Sequence, residues 1–191
     1  MEYTTATAYA TQAMSDKYTG IPYNKLDCQA FVEQVLKDCN VRKPDGTAYN
    51  WRGSNDMWRN ALSWKGTIQE AITRFGSIPV GSWAFIVKND GGEKERGYHD
   101  NEGNAAHVGI YCREQYDPIR DSTRTSYRDG VGYRELSGFT HIGLPFMIDY
   151  VSTPETPMDA LTAVATIRNE NSTDEQILHA LKTLTNYLKG C

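Results

Sequence analysis

The spacing of apolar residues predicts four helices in the first part of the chain. Apolar side chains recur there every three or four residues, which is typical of helices that bury one face. The predicted helices cover residues 4–17, 28–39, 55–62 and 67–75. Gly20 and Pro22 end the first of them and bring Tyr23 close to the start of the second.

Shorter apolar runs further along predict the strands of a sheet. They cover residues 82–87 and 108–112, a stretch near Ile119, and residues 132–136 and 139–144. Residues 89–104 separate the first two runs and are rich in glycine, asparagine and charged residues, with no apolar period. A loop of that length exceeds what a hairpin needs, so we expect it to be a functional lid.

The last forty residues predict a separate helical element. Residues 151–157 have the proline-rich composition of a linker, so the predicted organisation is a domain at 1–150, a linker at 151–157 and a helical hairpin at 158–191. The second helix carries an apolar stripe of Ile177, Leu178, Leu181, Leu184 and Leu188. A short helix with such a stripe needs a partner surface. We expect homo-oligomerisation through these helices, with docking on the first domain as the alternative.

Composition and charge exclude several classes of partner. The net charge of -4 gives no basic face for nucleic acid. No apolar stretch reaches the length of a membrane span. The N-terminus has no basic segment followed by an apolar one, which predicts synthesis in the cytoplasm without a secretory signal. The four cysteines are therefore expected to be free thiols, and Cys28 and Cys39 lie about 16 Å apart if they share one helix.

The candidate chemistry begins at Cys28. Asp27 is a good N-cap, and a cysteine directly after it meets the unpaired N–H groups and the positive end of the helix dipole. Both favour the thiolate, which is the nucleophilic form. His107 starts a predicted strand far downstream. A helix-end cysteine beside a strand histidine is the arrangement of a cysteine hydrolase, although a buried cysteine and a structural histidine are the common alternatives.

Four motifs add a family resemblance. In chain order they are Gly20-Ile21-Pro22-Tyr23, Asp27-Cys28-Gln29-Ala30-Phe31-Val32, Pro79-Val80-Gly81-Ser82-Trp83-Ala84-Phe85 and His107-Val108-Gly109-Ile110-Tyr111. They resemble the lead-in, nucleophile helix, first strand and histidine strand of the NlpC/P60 family of cell-wall cysteine peptidases, most of all its prophage and gut Firmicutes variants. The family's Ser-Gly after the cysteine is Gln29-Ala30 here, and its Pro-Gly-Asp aspartate is Ser82. These departures keep the catalytic groups and leave the substrate preference open.

The resemblance implies an α+β fold of the papain-like NlpC/P60 type, in which the nucleophile helix packs on an antiparallel sheet. It implies that Cys28 is the nucleophile, that His107 is the base, and that a polar residue on the next strand orients the imidazole. Asp121 is our candidate for that residue, with Asp117 as the alternative. Residues expected to contact substrate are Tyr23, Asp27, Gln29 and Ala106.

The activity implied by the resemblance is a peptidoglycan hydrolase, a cysteine endopeptidase that cuts stem peptides between D-glutamate and the diamino acid. It needs no metal or organic cofactor. The spacing from His99 to His107 matches neither a His-Glu-x-x-His zinc motif nor a calcium-binding loop. Without a secretory signal, a phage or prophage endolysin that reaches the wall after lysis is the expected context. The alternatives are an N-acetylmuramoyl-L-alanine amidase or cross-bridge endopeptidase of the related CHAP type, and a non-catalytic wall-binding or phage-structural module.

Overall fold

The computed structural model describes residues 4–114 and 116–150, which form a mixed α+β unit. Its helices are α1 (Ala6–Ala13), α2 (Cys28–Asp38), α3 (Ser54–Asn60), α4 (Ile68–Phe75) and α5 (Gly92–Glu95). Its strands are β1 (Thr4–Thr5), β2 (Leu62–Thr67), β3 (Trp83–Lys88), β4 (Asn104–Tyr111), β5 (Ile119–Arg124), β6 (Asp129–Arg134), β7 (His141–Pro145) and β8 (Ile148–Asp149). The α+β class predicted from the sequence is confirmed.

One antiparallel sheet organises the unit. Its six strands lie in the order β2-β7-β3-β4-β5-β6, and β1 pairs separately with β8 in parallel. A larger core fills the space between the sheet and α1, α2 and α3, and a smaller one joins the sheet to α4. Within the described ranges, no helix has the length and apolar character that a membrane span needs.

The structure corrects several predicted boundaries. The first helix stops at Ala13, and a 3-10 turn at Asp16–Tyr18 follows it. Strand β6 covers 129–134 instead of 132–136, and β4 starts at Asn104, so that His107 lies within the strand and not at its start. Strand β2 was not predicted, because Lys65 and Gly66 break its apolar pattern. The predicted linker and helical hairpin lie outside the described residues.

Helix α2 begins where the sequence predicts it to begin. The Asp27 side chain accepts a hydrogen bond from the Ala30 N–H at 2.8 Å, which caps the helix at Cys28. Its apolar face is buried and packs on β4 and β5. Tyr9 of α1 fixes its middle, because the Tyr9 hydroxyl bonds the Val32 carbonyl at 3.4 Å and accepts the Trp83 indole N–H at 3.0 Å. These contacts hold the first turn of α2 in place against the sheet.

The segment at residues 89–104, predicted as a loop, contains the short helix α5 and ends at the first residue of β4, and it is tied to α3. Arg59 binds both carboxylate oxygens of Asp100 at 2.7 Å and donates to the Gly103 carbonyl at 2.9 Å. The Trp58 indole N–H donates to the Glu102 carbonyl at 3.1 Å. The second half of this segment therefore lies against α3.

The segment that leads into α2 pairs with β6. The N–H of Gly20 donates to the Val131 carbonyl, and the N–H of Val131 donates to the Ile21 carbonyl, both at 3.1 Å. The Tyr23 N–H then bonds the Asp129 carboxylate at 3.2 Å. This pairing carries Tyr23 to the entrance of α2.

Replacing Gly130 with alanine tests this pairing. Gly130 has φ +112, and a Cβ there would meet the Ile21 carbonyl oxygen at 2.0 Å. We expect a loss of about 3 kcal/mol in the free energy of unfolding, since strain and clash add, measured by urea denaturation. The matched control is Gly76→Ala, where φ is +77 but the space is open, and it should cost only about 1 kcal/mol. Equal losses for the two variants would contradict the close approach.

Candidate active site

Cys28 occupies the first position of α2, with 7% of its surface exposed. The N–H groups of the first helical turn have no carbonyl four residues earlier within the helix, and Asp27 satisfies only that of Ala30. The N–H groups of Cys28 and Gln29 therefore point out of the helix end beside the thiol. A developing negative charge at this position would meet both donors and the positive end of the helix dipole.

His107 reaches its acid partner on the next strand. Its Nε2 lies 2.7 Å from Oδ2 of Asp121, and the Asp121 side chain has no exposed surface. The register of β4 with β5 pairs Ile110 with Arg120 and Tyr111 with Ile119. Continuing that register pairs Asp121 with Gly109. His107 lies two residues before Gly109 in β4, so the side chains of His107 and Asp121 stand on the same face of the sheet.

The His107 imidazole also interacts with Cys28. Burial by itself would lower the pKa of His107, but hydrogen bonds to Asp121 and Cys28 and the charges of both groups raise it to about 9. Since Asp121 occupies Nε2, Nδ1 is the nitrogen left for the thiol. The imidazolium form is thus favoured at neutral pH.

The pKa of Asp121 is lowered in spite of burial. Burial alone would raise it, but the hydrogen bond and charge of His107 and the Arg128 guanidinium outweigh that effect. Asp121 is therefore an ionised acceptor for the imidazole N–H and stabilises the imidazolium. The structure brings Cys28, His107 and Asp121 together in one connected group.

Tyr23 is the fourth member of this group. Burial, together with the charge and hydrogen bonding of Cys28, raises the pKa of the Tyr23 phenol to about 12. The hydroxyl is consequently protonated and lies against the thiol, where it can donate a hydrogen bond.

The other predicted substrate contacts have different surroundings. The Asp27 carboxylate is used as the helix cap. The Gln29 amide donates to Glu33 at 2.8 Å and to the Trp51 carbonyl, while Glu33 also accepts the Trp51 N–H at 2.7 Å. Gln29 therefore anchors the segment before α3 to α2. Ala106 is exposed next to His107.

Asp117, the alternative third residue, lies elsewhere. It lines a surface cavity of about 390 Å³. The other lining residues are Tyr127, Tyr133, Arg134, Glu135, Ser137 and Gly138. The carboxylate that contacts His107 is that of Asp121.

Sequence reasoning missed three residues around the imidazole and its acid. Arg128 and Arg134 both contact the Asp121 carboxylate, and the Phe139 ring lies 5.9 Å from the His107 ring. None of the three belongs to a motif, and their proximity depends on the register of the β5–β6 hairpin.

The remaining candidate groups do not form a second site. In the ranges 4–114 and 116–150, no three His, Cys, Asp or Glu side chains converge to hold a metal ion. Asp100 and Glu102, in the segment between His99 and His107, are paired with Arg59 and Lys65. Cys28, Cys39 and Cys112 are free thiols, and burial raises the pKa of both Cys39 and Cys112.

The basicity of His107 predicts a pH profile. If reaction requires the imidazolium beside the sulfur, activity falls as pH rises through about 9. Because this pKa lies above that of an unfolded histidine, the imidazolium also stabilises the fold below about pH 6.5, and that contribution is lost as pH rises through about 9. Rates of substrate hydrolysis and unfolding free energies between pH 5 and about 10 measure the two effects. A hydrolysis rate that stays level as pH rises through about 9 would contradict the prediction.

This arrangement supplies a nucleophile, a proton carrier, an acid that orients it and N–H donors for an oxyanion. Such a set can carry out acyl transfer.

Comparison of the chain with protein-family models, with curated proteins and with solved structures finds no match.

Proposed function

We propose that this protein is a peptidoglycan hydrolase of the papain-like NlpC/P60 type, a cysteine endopeptidase that cuts stem peptides. One observation carries the proposal: a cysteine at the first position of a capped helix lies beside a strand histidine whose other nitrogen is bound to a buried carboxylate. A solely structural cysteine or histidine has no need for this chain of partners. The four sequence motifs supply the link to cell-wall peptides.

The first half of the reaction forms a thioester. The Cys28 sulfur attacks the scissile carbonyl carbon, and the N–H groups at the start of α2 stabilise the resulting oxyanion. The Nδ1 proton of His107 then passes to the leaving amine, and the C–N bond breaks. Asp121 keeps Nε2–H pointed at itself throughout, so Nδ1 always faces the reaction.

The second half regenerates the enzyme with water. His107 Nδ1 accepts a proton from the attacking water, and the oxygen adds to the thioester carbonyl. The tetrahedral species collapses, the C–S bond breaks, and the peptide leaves as a carboxylic acid. The cysteine thiolate and the histidine imidazolium are restored. One water molecule is consumed for each peptide bond that is cut.

The bond that we propose is the one between D-glutamate and the diamino acid. The Gly-x-Pro-Tyr lead-in supports it, since Tyr23 lies at the thiol and its hydroxyl remains a donor at neutral pH. The unusual Gln29 is turned towards Trp51 and Glu33, so its side chain is engaged within the protein. Specificity for the bond then rests on Tyr23 and on the exposed strand position at Ala106.

Digestion of defined muropeptides tests the proposal. The wild-type protein is incubated with purified muropeptides of known stem sequence, and the products are identified by mass spectrometry. We expect a fragment that ends in D-glutamate and one that begins with the diamino acid. Release of intact stem peptides would indicate the amidase alternative, and cleavage within the bridge would indicate the cross-bridge endopeptidase.

A binding module without catalysis predicts a different result. No fragment would form, and iodoacetamide would not prefer Cys28 over Cys39 and Cys112 near neutral pH. Peptide mapping separates the individual thiols, including Cys191. Selective labelling of Cys28 with product formation supports the enzyme.

A further inference from the structure

Two arginines surround the acid that orients His107. Oδ1 of Asp121 accepts a hydrogen bond from Arg128 Nη2, and Oδ2 is 3.4 Å from Arg134 Nη1 as well as 2.7 Å from His107. A buried carboxylate with the imidazolium as its one cationic partner would have an oxygen without a donor. Here both oxygens are bound, so the carboxylate cannot rotate without breaking contacts.

Arg128 is itself held on both sides. Its backbone closes the β5–β6 turn, where its N–H donates to Thr125 Oγ1 at 3.1 Å and its carbonyl accepts the Thr125 N–H at 2.8 Å. Its Nη1 donates to the Tyr133 carbonyl of β6 at 2.9 Å. The guanidinium thus bridges the β6 backbone and Asp121, and the planar fork of arginine suits such a two-point contact.

Gly132 makes the space that the guanidinium occupies. It lies directly across from Asp121 in the β5–β6 register, where a side chain would stand on the same side of the sheet as the carboxylate. A Cβ on Gly132 would come within 2.4 Å of Arg128 Nη1 and 2.9 Å of Arg128 Cδ. The Arg128 side chain therefore fills the position of the side chain that Gly132 lacks.

We propose that Arg128 is a positioning residue of the active site. It acts through Asp121, and its side chain needs the space that is left because Gly132 has no side chain. The inference rests on the proposed function, in which Asp121 orients His107. Arg128 locks the Asp121 carboxylate in the orientation that receives Nε2–H. Its positive charge also offsets part of the negative charge of Asp121 and so limits how basic His107 becomes.

The titratable groups that interact with His107 are Cys28 of α2 and Asp121 of β5. Arg128 of the β5–β6 turn and Arg134 of β6 are paired with Asp121 and so act on His107 through it. Without the positive charge of Arg128, less of the negative charge of Asp121 is offset. The His107 imidazolium then holds its proton more tightly. The pKa of His107 should rise, whereas loss of the carboxylate itself would make it fall.

The experiment compares Arg128→Gln, Arg128→Lys and Gly132→Ala with the wild-type protein. The matched control is Arg124→Gln, an exposed arginine in the same hairpin. The pKa of His107 is followed by NMR of its ring protons, and stem-peptide hydrolysis is measured in parallel. For Arg128→Gln we expect the pKa of His107 to rise by up to about one unit and kcat to fall by about 10- to 100-fold with KM unchanged.

The other variants separate charge from position. Arg128→Lys keeps the charge and loses the two-point contact, so it should lower kcat with little change in the His107 titration. Gly132→Ala keeps the arginine but occupies its place, and it should lower kcat in the same way. A His107 titration in Arg128→Gln that matches the Arg124→Gln control, or that shifts downward, overturns the inference. The His107 titration needs no substrate. A wild-type protein that cuts no stem peptide would refute the proposed hydrolase, whereas the titration of Arg128→Gln alone decides whether Arg128 acts on His107 through Asp121.

Discussion

Replacing Cys28 with alanine should abolish stem-peptide hydrolysis, with a fall in kcat of at least about 10⁴-fold, because the substitution removes the sulfur that is proposed to form the acyl intermediate. The fold should be nearly unaffected. Asp27 still caps α2, alanine favours a helix, and the change removes a single sulfur atom. We expect the free energy of unfolding to change by no more than about 1 kcal/mol, as measured by urea denaturation beside the muropeptide assay.

Cys39→Ala is the matched control for this prediction. Cys39 follows the last residue of the same helix, is a free thiol, and has a pKa raised by burial. Its removal should leave kcat within about twofold of wild type. Hydrolysis that survives in Cys28→Ala, or is lost equally in Cys39→Ala, would rule out Cys28 as the nucleophile.

The parts of the fold that local chemistry determines could be predicted from the sequence. The Asp27 cap and the apolar spacing after it place the start of α2 correctly, and Thr67 with Glu70 forms the capping box that begins α4. Strand β2 was missed because its pairing with β7 comes from a distant part of the chain and its own pattern is weak. The same holds for β6, whose shift from the predicted position follows from its hairpin with β5.

The residues of the candidate site could likewise be predicted from the sequence only in part. Cys28, His107 and Tyr23 carry motif signals, and the structure brings them together. The sequence favours Asp121 and keeps Asp117 as the alternative, since each is an acid near a predicted strand. Strand register decides between them, because it places Asp121 beside His107. Register also determines which arginines meet Asp121, and no local pattern contains that information.

Replacing Asp121 with asparagine should have the second largest effect. The amide has no charge to hold the imidazolium, so burial would dominate and the pKa of His107 should fall well below about 9. At neutral pH the imidazole would then be neutral and free to adopt the wrong tautomer, and kcat should fall by about 10³- to 10⁴-fold. The high-pH limb of the pH–rate profile should move to lower pH in step with the NMR titration of His107.

The same substitution should also destabilise the fold, because Arg128 and Arg134 lose their anionic partner. Breaking a buried ion pair on one side costs about 3 kcal/mol, which chemical denaturation can measure. The control is Asp117→Asn, which changes the other acid that the sequence left open and which lines a surface cavity. It should alter stability by less than about 0.5 kcal/mol and leave the His107 titration in place. If Asp117→Asn lowers the pKa of His107 and Asp121→Asn does not, the acid that orients the imidazole is Asp117, and the contact between His107 and Asp121 has no role in catalysis.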